Sequence, residues 1–342
     1  EGSFNTEREI DPEAYEAYLW GIKSDIGWTS EGRKKAIEYF EKAISIDSTF
    51  SDAYAWLSFG YTSGMFAGNE DFEKGERYVL KALELDPQSA LAHEALGWLL
   101  LHRDWDWEGA AEQMRTARKY MAGGDGILIH GFYTMSGDEE TAVEMARKLV
   151  ERDPLNPLWY QYLAYCCMAF QRTDEALEAY GRMREWFPDW HAGAWEWTAY
   201  VYTQMGMPDS ALAIAEREGL DTSKWHLWDW VYGEAGVADS AARHLDESIA
   251  EYPESDTSPR VAFIYASLGD KEKAFEWLER AYENHNNWLL YSNWMGATGG
   301  ADNLLDDPRW DDLMARIGFP KGNWVKRREV LAERRKGGRP DR

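Results

Sequence analysis

The sequence predicts an all-α protein in which pairs of helices repeat along the chain and stack into a solenoid. Three observations predict this fold class. Pro154 and Pro188 lie 34 residues apart, and each closes a segment with a helical pattern. Large apolar residues recur three and four positions apart within these segments, and a small residue follows each predicted turn, as Ala142 and Ala176 do. Repetition of a helix-turn-helix unit accounts for all three.

Each part of the repeating unit has a physical reason. Large side chains three and four apart form one face of the first helix, and that face receives the second helix of the unit. A small residue after the turn lets the two backbones approach, and alanine fills this place at Ala142, Ala176, Ala241 and Ala274. Proline then ends the second helix, because its ring and missing N–H cannot continue one. The dipeptides Gly137-Asp138 and Gly269-Asp270 predict a helix end followed by an N-cap.

About eight units can be followed along the chain. The first runs from Leu19 to Ala43 with a lengthened loop, and the second opens at Tyr54 and carries an insertion before its second helix. The sixth unit is degenerate around residues 204–215. After the last unit, residues 308–317 predict a capping helix, which a solenoid needs because its final apolar face has no neighbour.

These residues carry a family resemblance. Before Pro188 the chain has a pattern similar to W-x2-L-G-x2-Y followed by A-x3-F, with Tyr160, Leu163, Ala164, Cys167, Ala176 and Tyr180 at those places. Over roughly residues 11–320 the chain therefore resembles the tetratricopeptide-repeat (TPR) family. The resemblance implies a right-handed TPR solenoid of about eight units with a C-terminal capping helix.

A narrower resemblance lies in three local segments. They look like elements of the C-terminal TPR region of bacterial TolB-like/TPR signalling proteins, and they are Arg103–Ala110 with its Asp104-Trp105-Asp106-Trp107, the penultimate unit at Leu268–Tyr282, and Asp307-Pro308-Arg309-Trp310. In such proteins the effector domain precedes the repeats, so the resemblance implies that an effector function lies outside this chain. It also implies a bacterial type of protein. The compartment stays open, an extracytoplasmic one included.

Charge divides the chain into three parts. Residues 1–10 form an N-terminal extension, residues 11–320 form the TPR solenoid with a capping segment at 302–320, and residues 321–342 form a basic tail with nine basic and three acidic side chains. The tail is interpreted as a solvated amphipathic helix over residues 324–336. The alternative is attraction to the acidic body, within one molecule or head to tail between copies.

Composition excludes several function classes. The chain has 61 acidic and 37 basic residues, a formal net charge of −24, which disfavours nucleic acid as a partner. There is no apolar run of about 18 residues, so we expect no membrane insertion. Cys166 and Cys167 are adjacent, and the seven histidines are scattered without metal-ligand spacing. The acidic run at 302–312 lacks the pattern of a calcium loop, so a solvated loop is expected. We therefore expect no catalytic residue, no metal and no cofactor.

A concave groove is the expected working surface, because stacked first helices form one extended face. On the register that the TPR resemblance implies, a second row of large aromatic residues faces this groove. Its members are Phe59, Trp98, Tyr165, Trp195, Tyr202, Trp230 and Phe263. The groove lacks the Lys and Asn of the TPR proteins that clamp carboxylates. We predict that it binds an extended apolar, neutral or basic segment on these rings. The alternative is that the array closes on itself and buries them.

The predicted function is accordingly a non-catalytic scaffold for a protein or peptide partner. Two alternatives stay open. The chain could be a self-assembling structural protein that uses its solenoid ends and basic tail for contacts with further copies of itself. It could also be the sensory or regulatory TPR region of a larger signalling protein, as the resemblance implies.

Overall fold

The computed structural model describes residues 10–25, 30–62, 69–121, 126–187, 193–220, 222, 227–237, 259–292, 301–320, 322 and 324–337. Within these ranges the regular structure is entirely helical. Contacts divide the chain into two compact units, residues 1–132 and residues 133–342. The predicted extension at 1–9, the second helix of the seventh repeat, and Pro188 and Pro253 lie outside the described residues.

The first unit holds three helix pairs and the start of a further helix. Its helices are α1 (Pro12–Asp25), α2 (Ser30–Ile46), α3 (Ser51–Thr62), α4 (Asn69–Leu85), α5 (Ala90–Asp104), α6 (Trp107–Tyr120) and α7 (Ile127–Ser136), the last of which crosses into the second unit. Helices α1 and α2, α3 and α4, and α5 and α6 pack as pairs. Successive pairs meet through α2–α3, α3–α5 and α4–α5. Each pair thus packs on its sequence neighbours, as expected for stacked repeats.

The second unit continues the same pattern and adds a C-terminal segment. Its helices are α8 (Glu139–Arg152), α9 (Pro157–Ala169), α10 (Thr173–Trp186), α11 (Gly193–Gln204), α12 (Pro208–Glu218), α13 (Leu227–Ala235), α14 (Pro259–Ser267), α15 (Lys271–Glu283), a 3₁₀ helix (Asn287–Tyr291), α16 (Pro308–Ile317) and α17 (Trp324–Gly337). Here α9 pairs with α10, α11 with α12, and α14 with α15, and α10–α11 and α12–α13 join consecutive pairs.

The turn between the helices of a pair is built the same way in several repeats. Glycine adopts the left-handed conformation there, with φ of +81° at Gly137 and +83° at Gly269. The next residue is the predicted N-cap: Asp138 accepts from the N–H of Thr141 (3.3 Å), and Asp270 accepts from the N–H of Lys273 (3.1 Å). Both predicted helix ends and both predicted N-caps are confirmed.

The predicted close approach of paired helices is also confirmed at the three alanines that the structure describes. Ala142, Ala176 and Ala274 have no exposed surface, and each lies in the first turns of the second helix of its pair. Ala241 lies outside the described residues. An alanine at this place removes the side-chain bulk that would separate the helices, so the two backbones pack closely.

The predicted capping helix is present as α16. Arg309 on α16 donates to Glu272 on α15 (3.0 and 2.9 Å), and Arg316 donates to Glu279 on the same two helices. Because both contacts join residues 37 apart, α16 runs parallel to α15. Trp310, Leu313, Met314 and Ile317 are all buried. The apolar face of α16 therefore covers the end of the stacked pairs.

The tail departs from its prediction. Helix α17 occupies almost the predicted range, but it is not a solvated helix on all sides. Arg327 is only 1% exposed, and Trp324 is also buried. The interpretation as a solvated helix is therefore wrong, and the structure agrees with the alternative in which the tail is attracted to the acidic body of the same molecule. Composition reports how many charges a helix carries, not whether acceptors are folded against it.

Candidate functional site

Three of the seven predicted groove residues are buried. Phe59 and Trp98, both in the first unit, are 1% and 8% exposed, and their rings lie 5.8 Å apart. Phe263, in the second unit, is 7% exposed, with its ring 6.4 Å from that of Trp310. These rings contribute to the packing between repeats. At these three positions the structure agrees with the alternative interpretation, in which the rings are buried.

The other described members lie partly exposed in the second unit. Helix α9 carries Tyr165, and α11 carries Trp195 and Tyr202. Trp195 and Tyr202 lie two helical turns apart and pack on the same cluster, which includes Ala199. The side chain of Trp230 lies outside the described residues. Tyr165 packs on the neighbouring cluster with Trp197. We use the name α9–α11 surface for the three partly exposed side chains of Tyr165, Trp195 and Tyr202.

Tyr165 is fixed in place by neighbours on both helices. Gln161 Nε2 donates to its hydroxyl (2.6 Å), and Trp197 of α11 meets the ring edge-on with centroids 4.6 Å apart. Burial raises the pKa of the Tyr165 phenol well above its ordinary value, so the phenol stays protonated. Trp197 also packs against the cluster that contains Tyr160 and Ala164, so it links Tyr165 to the core.

Trp195 lies between two cations. The guanidinium of Arg184 on α10 is 4.2 Å from its ring centroid, and that of Arg217 on α12 is 5.0 Å away. Arg184 also donates to the hydroxyl of Thr198, and Arg217 pairs with Glu218 (2.7 Å). Burial lowers the pKa of Arg184. Two guanidinium groups thus lie beside Trp195, and the charge of one of them, Arg217, is balanced by Glu218. Sequence reasoning missed Arg184, since no sequence signal placed it beside Trp195.

A second arrangement of polar groups lies under α17. Arg327 donates from Nε and Nη2 to both carboxylate oxygens of Asp302, at 2.9 and 2.6 Å. Its Nη1 donates to the carbonyl of Gln204 (2.6 Å) and to Oε1 of Gln171 (3.4 Å). These acceptors come from the 301–307 segment, the end of α11 and the turn between α9 and α10. We call Asp302, Gln171 and the Gln204 carbonyl the arginine pocket.

Residues on either side of Arg327 have acidic partners of their own. Lys326 pairs with Glu139 at the start of α8, and Arg328 binds both carboxylate oxygens of Asp311 on α16 (3.0 and 2.9 Å). The acidic run at 302–312 was expected to be solvated. It instead provides Asp302 and Asp311 to α17, which corrects that expectation, because the folded tail returns to this run.

Trp324 fastens the beginning of α17 to α16. Its indole N–H donates to Asp311 (3.1 Å), and its ring meets that of Trp310 edge-on with centroids 6.1 Å apart. Thus an apolar contact anchors the first turn of α17, whereas the next turn is held by charged and polar partners.

In the part of the chain that the structure describes, no three His, Cys, Asp or Glu side chains are grouped as metal ligands. His102 and His130 are buried, and burial lowers the pKa of each to about 4. Cys166 and Cys167 are buried free thiols whose pKa values burial raises. No described helix is long and apolar enough to cross a bilayer.

Several solved structures are similar to this chain in fold. Human IFIT1, a dimer with PPP-AAAA, is 16% identical, with 77% of this chain and 72% of that chain covered and a TM-score of 0.48. Yeast Tom70 is 15% identical, with coverage of 92% and 70% and a TM-score of 0.46. PilW, a type IV pilus biogenesis factor, is 14% identical, with coverage of 60% and 92% and a TM-score of 0.45. With TM-scores below 0.5, none of these likenesses extends to a ligand or partner.

Family models match the repeats directly. One tetratricopeptide repeat model matches residues 133–195, and a second matches residues 17–50 and 260–284. No curated protein matches the chain. The matched segments contain helix pairs α1–α2, α9–α10 and α14–α15, which the structure shows packed together. The narrower resemblance to TolB-like/TPR signalling proteins has no counterpart among these matches. Over these three segments the chain therefore matches tetratricopeptide repeats, and the residues that the structure describes form an all-α array of packed helix pairs.

Proposed function

We propose that this protein is a non-catalytic interaction scaffold whose α9–α11 surface binds an extended apolar segment of another protein. The observation that carries the proposal is the partial exposure of Tyr165, Trp195 and Tyr202 on the first helices of successive pairs. In the first unit, by contrast, the predicted groove residues Phe59 and Trp98 are buried. TPR proteins in general mediate protein–protein interactions, which supports the assignment at the level of fold.

Aromatic rings suit this purpose because they offer a large contact area and lose little conformational entropy on binding. At Trp195 two guanidinium groups already cover part of the ring, so a partner would contact the remainder. Tyr165 and Trp195 are already held by Gln161, Trp197 and Arg184, so their orientation is set before a partner arrives. A preorganised surface avoids part of the ordering cost of association.

The charges around Trp195 limit which partner segments can bind there. Arg184 and Arg217 next to Trp195 repel a basic side chain at that point. Their N–H groups instead favour carbonyl oxygens of a passing main chain. The proposed segment is therefore apolar and neutral where it crosses Trp195. Basic residues elsewhere in the partner would be attracted by the acidic remainder of the chain.

A display library of random peptides, selected against the immobilised full chain, tests the proposal. We expect the selected peptides to be rich in apolar residues, and we expect Trp195→Ala and Tyr165→Ala to weaken their binding at least tenfold. Trp20→Ala is the matched control, because Trp20 is an exposed tryptophan on α1 in the other unit. Circular dichroism must show unchanged helix content in each variant. Acidic selected peptides, or equal binding by Trp195→Ala and Trp20→Ala, would contradict the proposal.

Self-assembly and a role as the sensory region of a larger protein stay hypotheses. The first predicts a molar mass that rises with concentration in light scattering, and the scaffold predicts a constant one. The role as a sensory region predicts that an effector domain precedes Glu1 in the natural protein.

A further inference from the structure

We propose that the face of the second unit beneath α17 is a binding site for an arginine-bearing basic helix of a partner protein, and that α17 is the internal segment which such a helix must displace. The arginine pocket lies at the C-terminal ends of α9 and α11, and it uses none of the three aromatic residues named above, so the inference does not depend on the function proposed for them.

The arginine pocket is specific for a guanidinium. Its carboxylate, Asp302, takes two parallel hydrogen bonds from one edge of Arg327, and the Gln204 carbonyl and Gln171 amide oxygen take the third nitrogen. This planar, forked arrangement matches arginine and not lysine, whose ammonium is a single point charge. The guanidinium is 1% exposed, so the pocket encloses it.

Acidic groups extend the pocket along a basic sequence. The consecutive residues Lys326, Arg327 and Arg328 reach Glu139, Asp302 and Asp311, which lie on three different elements. The surface therefore distinguishes a short run of basic residues on one helix from a single cation. Charge complementarity of this type gives specificity and speeds encounter with a basic segment.

The contacts of helix α17 differ in exposure. Val325 and Lys326 are exposed and Arg328 is partly exposed, whereas Trp324 and Arg327 are buried. The ion pairs of Lys326 and Arg328 should therefore weaken as salt rises, and the enclosed pair of Arg327 is the contact that a competing helix must replace. A tethered helix also acts as a competitor at an effective concentration of the order of millimolar, so only a partner helix with substantial affinity would replace it.

A labelled synthetic peptide of residues 322–337 serves as the probe for binding in trans. The hosts are the wild-type full chain and a full-chain variant, Lys326→Gln/Arg327→Gln/Arg328→Gln, whose own tail lacks the three cations. We expect the variant to bind the peptide at least tenfold more tightly than the wild type does. A peptide carrying Arg327→Lys should bind the variant at least tenfold more weakly than the native peptide, since lysine lacks the fork.

Two results would overturn the proposal: no peptide binding by the variant with unchanged helix content, or equal binding of the native and Arg327→Lys peptides. If the variant loses helix content, the test is instead amide hydrogen exchange of α17 in the wild-type protein, measured with and without excess peptide. Excess peptide should reduce the protection of α17, and unchanged protection would refute displacement. If the variant and the wild type instead form a mixed dimer in light scattering, the occupant is α17 of a second copy, and the assignment to a partner protein is overturned.

Discussion

Arg327 and Asp302 form a two-point ion pair inside the second unit, with Nε–Oδ1 and Nη2–Oδ2 distances of 2.9 and 2.6 Å. The pair joins α17 to a segment 25 residues earlier, and Gln204 adds its carbonyl from the end of α11. A buried charge is tolerated only with such partners, because its hydration is lost. The pair therefore decides where the tail lies.

Removing one partner of this pair should be costly. We expect Arg327→Met or Asp302→Asn to lower the free energy of unfolding by about 3–5 kcal/mol, because each leaves a buried polar group without its counter-charge. The double variant should lose less than the sum of the two. Urea unfolding followed by circular dichroism measures all three. Arg316→Gln is the control, since its pair with Glu279 is partly exposed and should matter by about 0–1 kcal/mol. Strictly additive losses would show that the two residues are not coupled.

Replacement of glycine by alanine should change the stability of the protein in opposite directions at two positions. Gly269 has φ of +83°, and nothing lies within 4 Å of an added Cβ, so Gly269→Ala should cost about 1 kcal/mol from backbone strain alone. Gly181 lies inside α10 with ordinary helical geometry, and its nearest neighbour would be 3.9 Å away. Gly181→Ala should stabilise the protein by about 0.5–1 kcal/mol. Melting temperatures of the two variants test the contrast, which a shared direction of change would refute.

Acid should destabilise the first unit through two buried histidines. His102 and His130 have pKa values of about 4 in the folded protein, against 6.5 for an ordinary histidine. As the pH falls below about 6.5, the unfolded chain binds protons that the folded chain does not bind. Stability attributable to these groups is therefore lost between about pH 6.5 and 4, by up to ~3 kcal/mol for each histidine.

The measurement is the free energy of unfolding at several pH values between 7 and 4. A His102→Gln/His130→Gln variant removes both titrating groups and should show a shallower decline over this interval, whatever its stability at pH 7. Nearby carboxylates are unchanged in the variant, so they serve as the internal reference. Parallel profiles for the two proteins would contradict the prediction.

Trp98 and Trp195 should respond differently to the same substitution. Trp98 is buried, lies 5.8 Å from Phe59 and stacks on His102 at 4.1 Å, so Trp98→Ala should cost about 3–5 kcal/mol of stability. Trp195 is partly exposed, so Trp195→Ala should cost less. Chemical unfolding of both variants gives the comparison. A Trp98→Ala protein as stable as the wild type would show that this ring is not part of the packing.

Much of the fold could be predicted from sequence because the repeat is local. The proline spacing, the glycine before Asp138 and the small residue at Ala142 each act within one helix pair, and all are visible as a period. The residues of the predicted groove differ in exposure, which the sequence did not predict. Phe59 and Tyr165 occupy the same register position, yet the first is buried and the second is partly exposed. Register fixes a direction on a helix, whereas exposure depends on which neighbouring side chains fill the space.

The sequence by itself determined the all-α repeat architecture, the N-caps at Asp138 and Asp270, and the acidic body with a basic tail. Only the tertiary structure decided which rings stay accessible and that Arg327 turns inward to Asp302. The physical reason is the distance along the chain over which each interaction acts. Helix periodicity and capping depend on residues within a few positions, but a buried ion pair needs acceptors from Gln171, Gln204 and Asp302, which only folding brings together.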